Sequence, residues 1–462
     1  MSAYRRVFSR FLIPSVILCM AILTVAWFLS LAFAQVEGVA APQAGQLVGY
    51  QLLPGMQCLV PVAANRQYSE PVQLAGVSLE PAQQRAVRRP SGTPIAGPED
   101  PIRVIRDRYP SFSGVAVDTL RNEVYAADEN LLQILVYDRL DNTPERAAMT
   151  EPKRVLGGPQ SNIEFVCGLY FDQQAGEIYA SHGDTKQVLV FSRTQEGDVP
   201  PVRELRTPKS RVIAVDEKNQ ELFVTSQHDS AVVVWKKQAS EREPPIRLLQ
   251  GDRTRLANPH GIAIDSQNDL IYVTNHGQKS SRDPALERRP ERRVMNWPLE
   301  RPLAIPGSGR FLPPSITVHS RTAQGDTPPL RVIEGPKTQL NWPAGIVLDQ
   351  KRGELFVAND IDHSILVFRT TDQGDVAPLR VLQGPKTGLQ YPSALFLDTQ
   401  NQELWVANYG NHSLTVFSPT AEGDMAPLRT IRSGPIQSQA LMIGNPGAVG
   451  YDTKRQEILV PN

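Results

Sequence analysis

A pattern of apolar and polar positions recurs seven times along this chain. Each copy has a nearly continuous apolar run that ends in Asp, followed by a second run that begins at Glu in most copies and ends in a short polar residue. Nearly continuous apolarity is typical of a strand that is buried on both faces. The aspartates that end the first run are Asp118, Asp172, Asp216, Asp265, Asp349, Asp398 and Asp452. Their spacings of 54, 44, 49, 84, 49 and 54 residues predict an all-β propeller with one insertion.

The repeated unit divides into four strands, which we name the inner, second, third and outer strand of a blade. In one copy they cover residues 345–349, 354–359, 364–368 and 379–382. A Gly-Asp turn precedes the outer strand in several copies, as at Gly374-Asp375. Such a turn is a strong signal for a chain reversal between strands.

The number of strands predicts how the propeller closes. The sequence supplies seven inner, second and outer strands but only six third strands, and the first outer strand, at 102–105, has no blade before it. We therefore expect a seven-bladed propeller whose last blade is completed by strands from both ends of the chain, with an upstream strand at 72–79 or 47–52. Pairing the chain ends would remove an open sheet edge. Closure with six blades is the alternative.

Three motifs resemble a known family of repeats. They are Pro-His-Gly-Ile-Ala-Ile-Asp at 259–265, Ile-Tyr-Val-Thr-Asn at 271–275 and Asn-His-Ser-Leu-Thr-Val-Phe at 411–417. These motifs are similar to NHL repeats and to the related bacterial propellers named after a Tyr-Val-Thr-Asn (YVTN) strand. The likeness covers about residues 102–462, and the copies are longer than usual NHL repeats. The resemblance implies a propeller, and it is compatible with binding, lyase and hydrolase functions.

The first 34 residues are predicted to be a signal peptide or an N-terminal membrane anchor. Arg5, Arg6 and Arg10 precede an uncharged stretch, and Ala32-Phe33-Ala34 fits a signal cleavage site. The apolar run at 15–34 is also long enough to span a bilayer, so both possibilities stay open. In either case the basic start predicts an extracytoplasmic protein, periplasmic or secreted. Residues 35–101 are a Pro-, Gln- and Ala-rich linker with one or two strands, and residues 102–462 form the propeller.

Composition excludes some partners. The chain has 48 basic and 48 acidic residues, which argues against a nucleic-acid surface or an anionic membrane surface. We expect contact with a membrane only through the N-terminal segment. Beyond that segment the chain has two cysteines, Cys58 and Cys167, whose pairing stays open.

Features that recur in every blade are assigned to the scaffold. Each outer strand has Arg at its second position, and we expect this Arg to pair with the Glu that begins the second strand or with the Asp of the Gly-Asp turn. The arginines are Arg103, Arg154, Arg203, Arg247, Arg331, Arg380 and Arg429. The polar residue that ends each second strand is expected to bind nearby backbone in a turn.

Function is expected where the copies differ. The residues five positions before each aspartate are Ser113, Cys167, Arg211, His260, Ala344, Ser393 and Gly447, and they should form a ring at one mouth of the channel. Loops between second and third strands reach the same face with His182, His228, His276, His363 and His412. The last two fit ordinary turns. We therefore take Arg211, His260, His276, Cys167, His182 and His228 as candidate ligand-binding residues. His260 and His276 are also candidate ligands for a divalent metal.

The sequence predicts a binding or scaffold protein that uses its loop face and channel mouth to hold a protein, peptide or small molecule. The insertion at 277–314 carries a net charge of +4 and follows His276 directly, so it could cover the mouth. No complete set of catalytic residues is present in the sequence. The alternative, which the family resemblance implies, is a metal-assisted lyase or hydrolase with His260, His276 and Arg211 as ligands, base or anion clamp.

Overall fold

The structure is a computed structural model, and it describes residues 107–183, 185–279, 310–440, 450–452 and 457–459. Over these ranges the chain forms a β-propeller of six four-stranded antiparallel blades. The predicted signal segment, the linker and the strand at 102–105 lie outside the described residues. No helix within the described ranges is long and apolar enough to cross a membrane.

The first three blades follow one another without interruption. Each blade uses its strands in chain order from the inner to the outer edge. Blade 1 consists of β1 (Phe112–Asp118), β2 (Glu123–Asp128), β3 (Gln133–Asp138) and β4 (Arg154–Gly157). Blade 2 consists of β5 (Val166–Asp172), β6 (Glu177–His182), β7 (Gln187–Ser192) and β8 (Arg203–Arg206). Blade 3 consists of β9 (Ser210–Asp216), β10 (Glu221–Ser226), β11 (Ala231–Lys236) and β12 (Arg247–Gln250).

The fourth blade contains the predicted insertion. Its strands are β13 (Pro259–Asp265), β14 (Leu270–Asn275), β17 (Ser315–Ser320) and β18 (Arg331–Glu334), and β15 (Gln278–Lys279) pairs with β16 (Arg310–Phe311) inside the insertion. Blade 5 consists of β19 (Pro343–Asp349), β20 (Glu354–Asn359), β21 (Ser364–Arg369) and β22 (Arg380–Gln383). Blade 6 consists of β23 (Pro392–Asp398), β24 (Glu403–Asn408), β25 (Ser413–Phe417) and β26 (Arg429–Arg432).

The prediction of seven blades is wrong, and the six-bladed alternative is confirmed. The inner strands contact one another in the order β1, β5, β9, β13, β19, β23 and back to β1, so the ring is complete. Blade 6 packs directly on blade 1: Phe112 and Trp405 share one apolar cluster, and the Ser393 hydroxyl donates to the Ser113 carbonyl at 3.1 Å. This contact leaves no gap for a seventh blade closed by terminal strands.

The seventh repeat does form strands, but outside the ring. Its β27 (Gly450–Asp452) and β28 (Glu457–Leu459) pair antiparallel in a sheet of two strands. The apolar pattern therefore predicted the hairpin correctly. It could not predict that the first six inner strands close the circle among themselves.

The apolar core lies in layers between neighbouring blades, because the strands of each blade are buried on both faces. Between blades 1 and 2, the rings of Tyr125 and Phe171 stack with centroids 4.9 Å apart. Similar layers lie between the other neighbouring blades. A rigid scaffold of this kind holds the loops at its two faces in fixed positions.

The recurrent Arg of the outer strand has the predicted structural role. Arg154 makes two hydrogen bonds of 2.8 Å to the carboxylate of Glu123, and Arg380 binds Glu354 in the same way. The same Arg–Glu ion pair forms in blades 2, 3 and 6. Blade 4 lacks the Glu, and its Arg331 keeps only the bond to a carbonyl of the next blade, here Thr370 at 2.8 Å, which Arg154 and Arg380 also make. Recurrence therefore identified scaffold residues correctly.

The Gly-Asp turn links blades 2, 4, 5 and 6 to the blade before each of them, and Glu241 takes the place of the glycine in blade 3. Gly374 pairs with Ile333 on the outer strand of the preceding blade, and the carboxylate of Asp375 accepts the Lys337 N–H at 2.7 Å. Corresponding backbone bridges join blades 1 to 2, 2 to 3, 3 to 4 and 5 to 6. At the remaining junction, Thr143 of blade 1 donates its N–H to the Thr430 carbonyl of blade 6 at 2.8 Å. The segments that lengthen this repeat thus cover sheet edges that would otherwise be open.

Candidate ligand site at the channel mouth

Two positions in every blade face one mouth of the channel. The first is the second residue of each inner strand: Ser113, Cys167, Arg211, His260, Ala344 and Ser393. In several blades, a hydroxyl group of the preceding blade donates to the backbone carbonyl of this residue. The Ser181 hydroxyl donates to the Arg211 carbonyl at 3.0 Å, and the Thr225 hydroxyl donates to the His260 carbonyl at 2.7 Å. The predicted ring therefore forms with six members, and Gly447 lies outside the described residues.

The second position is the first residue after each second strand: Glu129, Gly183, Gln227, His276, Asp360 and Tyr409. In most blades, the N–H of this residue donates to the backbone carbonyl of the residue that lies two positions before the ring residue of the same blade. His276 donates to the Asn258 carbonyl at 3.2 Å, and Asp360 donates to the Trp342 carbonyl at 3.2 Å. This backbone pairing brings the second set of side chains to the same mouth.

Arg211 connects three blades at this mouth. Its Nη1 lies 3.4 Å from the Cys167 Sγ of blade 2 and 3.8 Å from the Glu129 Oε1 of blade 1. A guanidinium group has five N–H donors, and a thiol is a weak acceptor. The carboxylate is too distant for a hydrogen bond. The guanidinium therefore has donors to spare, and about a quarter of the side chain, 24%, is exposed.

Glu129 is a buried acid whose proton affinity is increased. Burial raises the pKa of Glu129 to about 7, and the neighbouring Asp128 adds to the rise. Arg211, Tyr409 and Ser113 act in the opposite direction because they stabilise the carboxylate. The Oε1 atom has no hydrogen-bond partner among the residues that the structure describes. An acid of this kind can gain or lose a proton near neutral pH.

The thiol of Cys167 is free and buried. Burial raises the pKa of this thiol to about 11, although Arg211 opposes the rise. The thiol is therefore protonated at neutral pH, whereas a reactive cysteine needs the thiolate. Cys167 lines the mouth, and its sulfur is a weak hydrogen-bond acceptor for Arg211.

His260 and His276 lie together, at the one mouth where the sequence analysis placed both of them. Their rings stack with centroids 3.4 Å apart and planes 23° apart, and the ring of Trp342 lies 4.7 Å beyond His276. Burial and the charge of Arg211 lower the pKa of His276 to about 3. Burial, then His276 and Arg211, also lowers the pKa of His260. Both imidazoles are neutral near pH 7.

The stack does not suit a metal ion well. Neutral imidazole is the form that binds metals, but lone pairs of face-to-face rings lie side by side in parallel planes and do not converge on one point. One nitrogen of His260 is already 3.1 Å from the Asn258 side chain. Within the described ranges, no group of three His, Cys, Asp or Glu side chains is arranged to hold a metal. Among the described residues, the metal hypothesis therefore has no third ligand.

Asp360 adds a second acid to the mouth from blade 5. Burial raises the pKa of Asp360 to about 6, and Arg211 opposes the rise. Its Oδ1 atom, like the Nε2 atom of His276, has no hydrogen-bond partner in the part of the chain that the structure describes. Because buried polar atoms are nearly always satisfied, each of these atoms needs an explanation.

His182 is not brought to the mouth. It ends the second strand of blade 2 and is fully buried, and its Nδ1 accepts the Glu164 N–H at 3.3 Å. Asn359 does the same in blade 5, where its side-chain oxygen accepts the Asn341 N–H at 2.7 Å. This confirms the scaffold role predicted for the residue that ends each second strand. Burial lowers the pKa of His182 to about 3, so it stays neutral.

The remaining candidate histidines differ in their surroundings. His228 is exposed and lies 2.9 Å from the Gln227 side chain, and its charge helps to lower the pKa of His260, so it lies near the mouth. His363 and His412 have φ values of 51° and 53°, in the left-handed region, as turn residues often do. His363 accepts the Tyr391 N–H at 3.0 Å. Both therefore fit the turn interpretation.

The sequence pointed to the ring but missed four side chains at the mouth: Glu129, Trp342, Asp360 and Tyr409. A signal for three of them was present. The residue that follows the polar end of each second strand is Glu, Gly, Gln, His, Asp or Tyr in blades 1 to 6. This variation equals that of the ring position. Trp342 carried no such signal, because its position becomes special only through its backbone conformation.

The insertion begins beside this site. Gly277 follows His276 and donates its N–H to the Ala257 carbonyl at 3.0 Å, and Leu312 donates back to Gly277 at 2.8 Å. Lys279 is buried and lies 3.1 Å from a carboxylate oxygen of Asp252. The two ends of the insertion are thus anchored at the mouth, while residues 280–309 lie outside the described ranges.

Comparisons with known proteins give a fold and no family. No protein-family model and no curated protein matches the sequence. Among solved structures, the chain is similar to the hydrazine synthase of Kuenenia stuttgartiensis, with 10% sequence identity and a TM-score of 0.45, over 69% of this chain and 99% of that chain. We infer no activity from this likeness. The propeller is confirmed by its blades, and the finer likeness to NHL and YVTN repeats stays a prediction.

Proposed function

We propose that this protein is a binding protein that holds a small anionic ligand at the channel mouth, with Arg211 as the group that contacts the anion. The observation that carries the proposal is the environment of the guanidinium. The guanidinium has two neighbours at the mouth, a thiol at 3.4 Å and a carboxylate oxygen at 3.8 Å. Neither of them gives the N–H donors of Arg211 a full-strength hydrogen bond. An anion with two oxygens would satisfy such a fork of donors.

Unsatisfied polar atoms around Arg211 support the same interpretation. The Glu129 Oε1, His276 Nε2 and Asp360 Oδ1 atoms are buried and lack hydrogen-bond partners among the described residues. Leaving such an atom unpaired costs about 1–3 kcal/mol. An anion has only acceptor oxygens, so it can satisfy those of these groups that carry a proton, as Glu129 and Asp360 do in part near neutral pH.

Isothermal titration calorimetry with acetate, benzoate and inorganic phosphate tests the proposal. We expect at least one of these anions to bind the wild-type protein and the Arg211→Gln variant to lose this binding. Arg146→Gln is the matched control, because Arg146 is exposed in the loop between β3 and β4, away from the mouth. The proposal is wrong if none of the three anions binds, or if Arg211→Gln binds as well as the control.

A lyase or hydrolase is the second candidate function, and one observation favours it. The pKa of Glu129 is raised to about 7 and that of Asp360 to about 6, and groups poised near neutrality are typical of acid–base catalysis. A catalyst would consume its ligand. The second candidate is favoured if NMR of the same titrations, extended to esters and 2-hydroxy acids, shows turnover that is lost in Glu129→Gln.

We further propose an extracytoplasmic location and membership of the NHL- and YVTN-like propellers. Arg5, Arg6 and Arg10 before an uncharged stretch support export, and the motif at 271–275 supports the family. A mature N-terminus at Gln35 would support a cleaved signal, and recovery of Met1 in the membrane fraction would support an anchor. The basic insertion at 277–314 makes a protein or peptide partner a further possibility to test by its deletion.

A further inference from the structure

Three aromatic side chains form a ring cluster next to the blade of Arg211. His260 stacks on His276 with centroids 3.4 Å apart, and Trp342 lies against His276 with its ring tilted by 32° and its centroid 4.7 Å away. The charge of Arg211 is close enough to both imidazoles to lower their pKa values. Trp342 ends the ring cluster and is 50% exposed, whereas the two histidines are buried. Arg211 and His260 hold the same ring position in neighbouring blades, so an accessible indole surface lies two ring contacts beyond the neighbour of Arg211.

The backbone at Trp342 is unusual for its residue type. Its φ is 53°, in the left-handed region, and bulky residues adopt this region rarely. In blade 4 the equivalent residue is Asn258 with the same φ of 53°, and Asn tolerates this conformation well. A tryptophan at a position that favours Asn costs conformational energy. Tyr391 of blade 6 has a φ of 48° at the equivalent position, so the conformation itself belongs to the repeat.

A polar atom at this place is also without a partner. The Nε2 atom of His276 is buried and has no hydrogen-bond partner within the described ranges, although the ring is 8% exposed. This nitrogen belongs to the ring that contacts both His260 and Trp342. It is enclosed, so a ring that packs on the exposed side of Trp342 does not touch it.

From the exposed indole and its place in the ring cluster next to the blade of Arg211 we infer that the anionic ligand is a planar aromatic carboxylic acid. Its carboxylate contacts Arg211 and its ring packs against Trp342. This inference rests on the proposed function, because it specifies the class of anion that Arg211 receives. The imidazoles of His260 and His276 are neutral, so a flat ring can pack against this ring cluster without covering a charged group.

A pair of matched acids tests the inference. Benzoate and cyclohexanecarboxylate have the same charge and similar size, but only benzoate is flat and aromatic. We expect calorimetry to show benzoate binding roughly threefold to tenfold more tightly, which is the usual contribution of aromatic pairing. Trp342→Asn places in blade 5 the residue that blade 4 has at this position, so we expect it to fold and to bring the affinity ratio near one.

Two further variants separate the possible outcomes. Trp342→Tyr keeps a ring and should keep most of the preference for benzoate. Tyr391→Asn relieves the same left-handed backbone in blade 6, where φ is 48°, and should leave the preference unchanged. Equal affinity for both acids in wild type, or loss of the preference in Tyr391→Asn alone, overturns the inference. If both acids bind equally and Arg211→Gln abolishes both, the anion site stands and only the ligand class is wrong. If no anion binds, both proposals fail.

Discussion

Arg211 and Glu129 lie 3.8 Å apart at the channel mouth, although they belong to blades 3 and 1. The two residues are 82 positions apart in the sequence and are brought together by the arrangement of blades 1 to 3 around the channel. Their separation is longer than a hydrogen bond, and the acid keeps a high proton affinity despite the nearby cation. The two groups therefore do not form a full ion pair, and we expect the protonation of Glu129 to change with pH and with a bound anion.

The first prediction concerns the pH dependence of stability through Glu129. Its pKa is raised from 4.5 to about 7 on folding, so the folded state holds a proton that the unfolded state loses between these pH values. The unfolded state binds fewer protons in this window, and stability therefore falls as pH rises from about 4.5 to 7. The contribution amounts to about 3 kcal/mol over the window.

Urea denaturation of the wild type and of Glu129→Gln at several pH values between 4 and 8 measures this contribution. The difference between the two free energies of unfolding should change by about 3 kcal/mol in favour of the variant as pH rises. Other buried acids and histidines remain in both proteins and largely cancel in the difference. A difference that is constant with pH would show that Glu129 titrates normally.

The second prediction concerns His319, which is fully buried on β17. Neither of its ring nitrogens has a hydrogen-bond partner in the described part of the chain. The same position on the third strand of the other blades is Tyr137, Phe191, Trp235, Phe368 or Phe417. Because an unsatisfied buried polar group costs about 1–3 kcal/mol, His319→Phe should raise the free energy of unfolding by about this amount.

The gain in the free energy of unfolding from His319→Phe should be larger in mildly acidic solution. Burial lowers the pKa of His319 to about 4, so the unfolded state takes up a proton that the folded state refuses as pH falls from 6.5 to 4. Wild-type stability is lost in that window, and His319→Phe removes this loss. Thermal unfolding at pH 7 and pH 5 checks both effects. Phe368→His is the reciprocal variant and should destabilise the protein more at pH 5 than at pH 7.

The sequence predicted the strands better than the number of blades. The pairing of Arg154 with Glu123 and the ring through Arg211 and His260 follow from position within a repeat, and position can be counted in a sequence. Closure depends on the angle between neighbouring blades, which side chains such as Phe112 and Trp405 determine by packing. A seventh copy of the pattern therefore predicts two more strands, and it does not require a seventh place in the ring.

The site was predictable in part for a similar reason. The sequence analysis identified Cys167, Arg211, His260 and His276 because the residue type at their positions changes from blade to blade. Scaffold positions such as the Arg of the outer strand keep one residue type. Trp342 was missed, because its left-handed backbone and its contact with His276 exist only in three dimensions. His182 was assigned to the mouth because of its residue type, yet it occupies a backbone-binding position that Asn fills elsewhere.

The third prediction concerns the link between blades 4 and 5. The Asp375 carboxylate accepts the Lys337 N–H at 2.7 Å, and a Cβ at Gly335 would lie 2.6 Å from the Asp375 side chain. Asp375→Ala removes a charged acceptor and should lower the free energy of unfolding by about 1.5–3 kcal/mol. Asp375→Asn keeps an acceptor of the same shape and should lose less than half of this amount. Equal losses in both variants would show that charge matters here more than the hydrogen bond.

The last prediction concerns closure of the ring. Blade 6 packs on blade 1 without β27 and β28, so a chain that ends at Ala440 should still unfold in one cooperative transition, with a melting temperature within about 4 °C of the full chain. A chain that ends at Gly388 lacks blade 6 and exposes the apolar face of blade 1, including Phe112. We expect that chain to aggregate. Calorimetry and size-exclusion chromatography of the two truncated chains compare these outcomes, and loss of cooperative unfolding in the chain that ends at Ala440 would contradict closure by six blades.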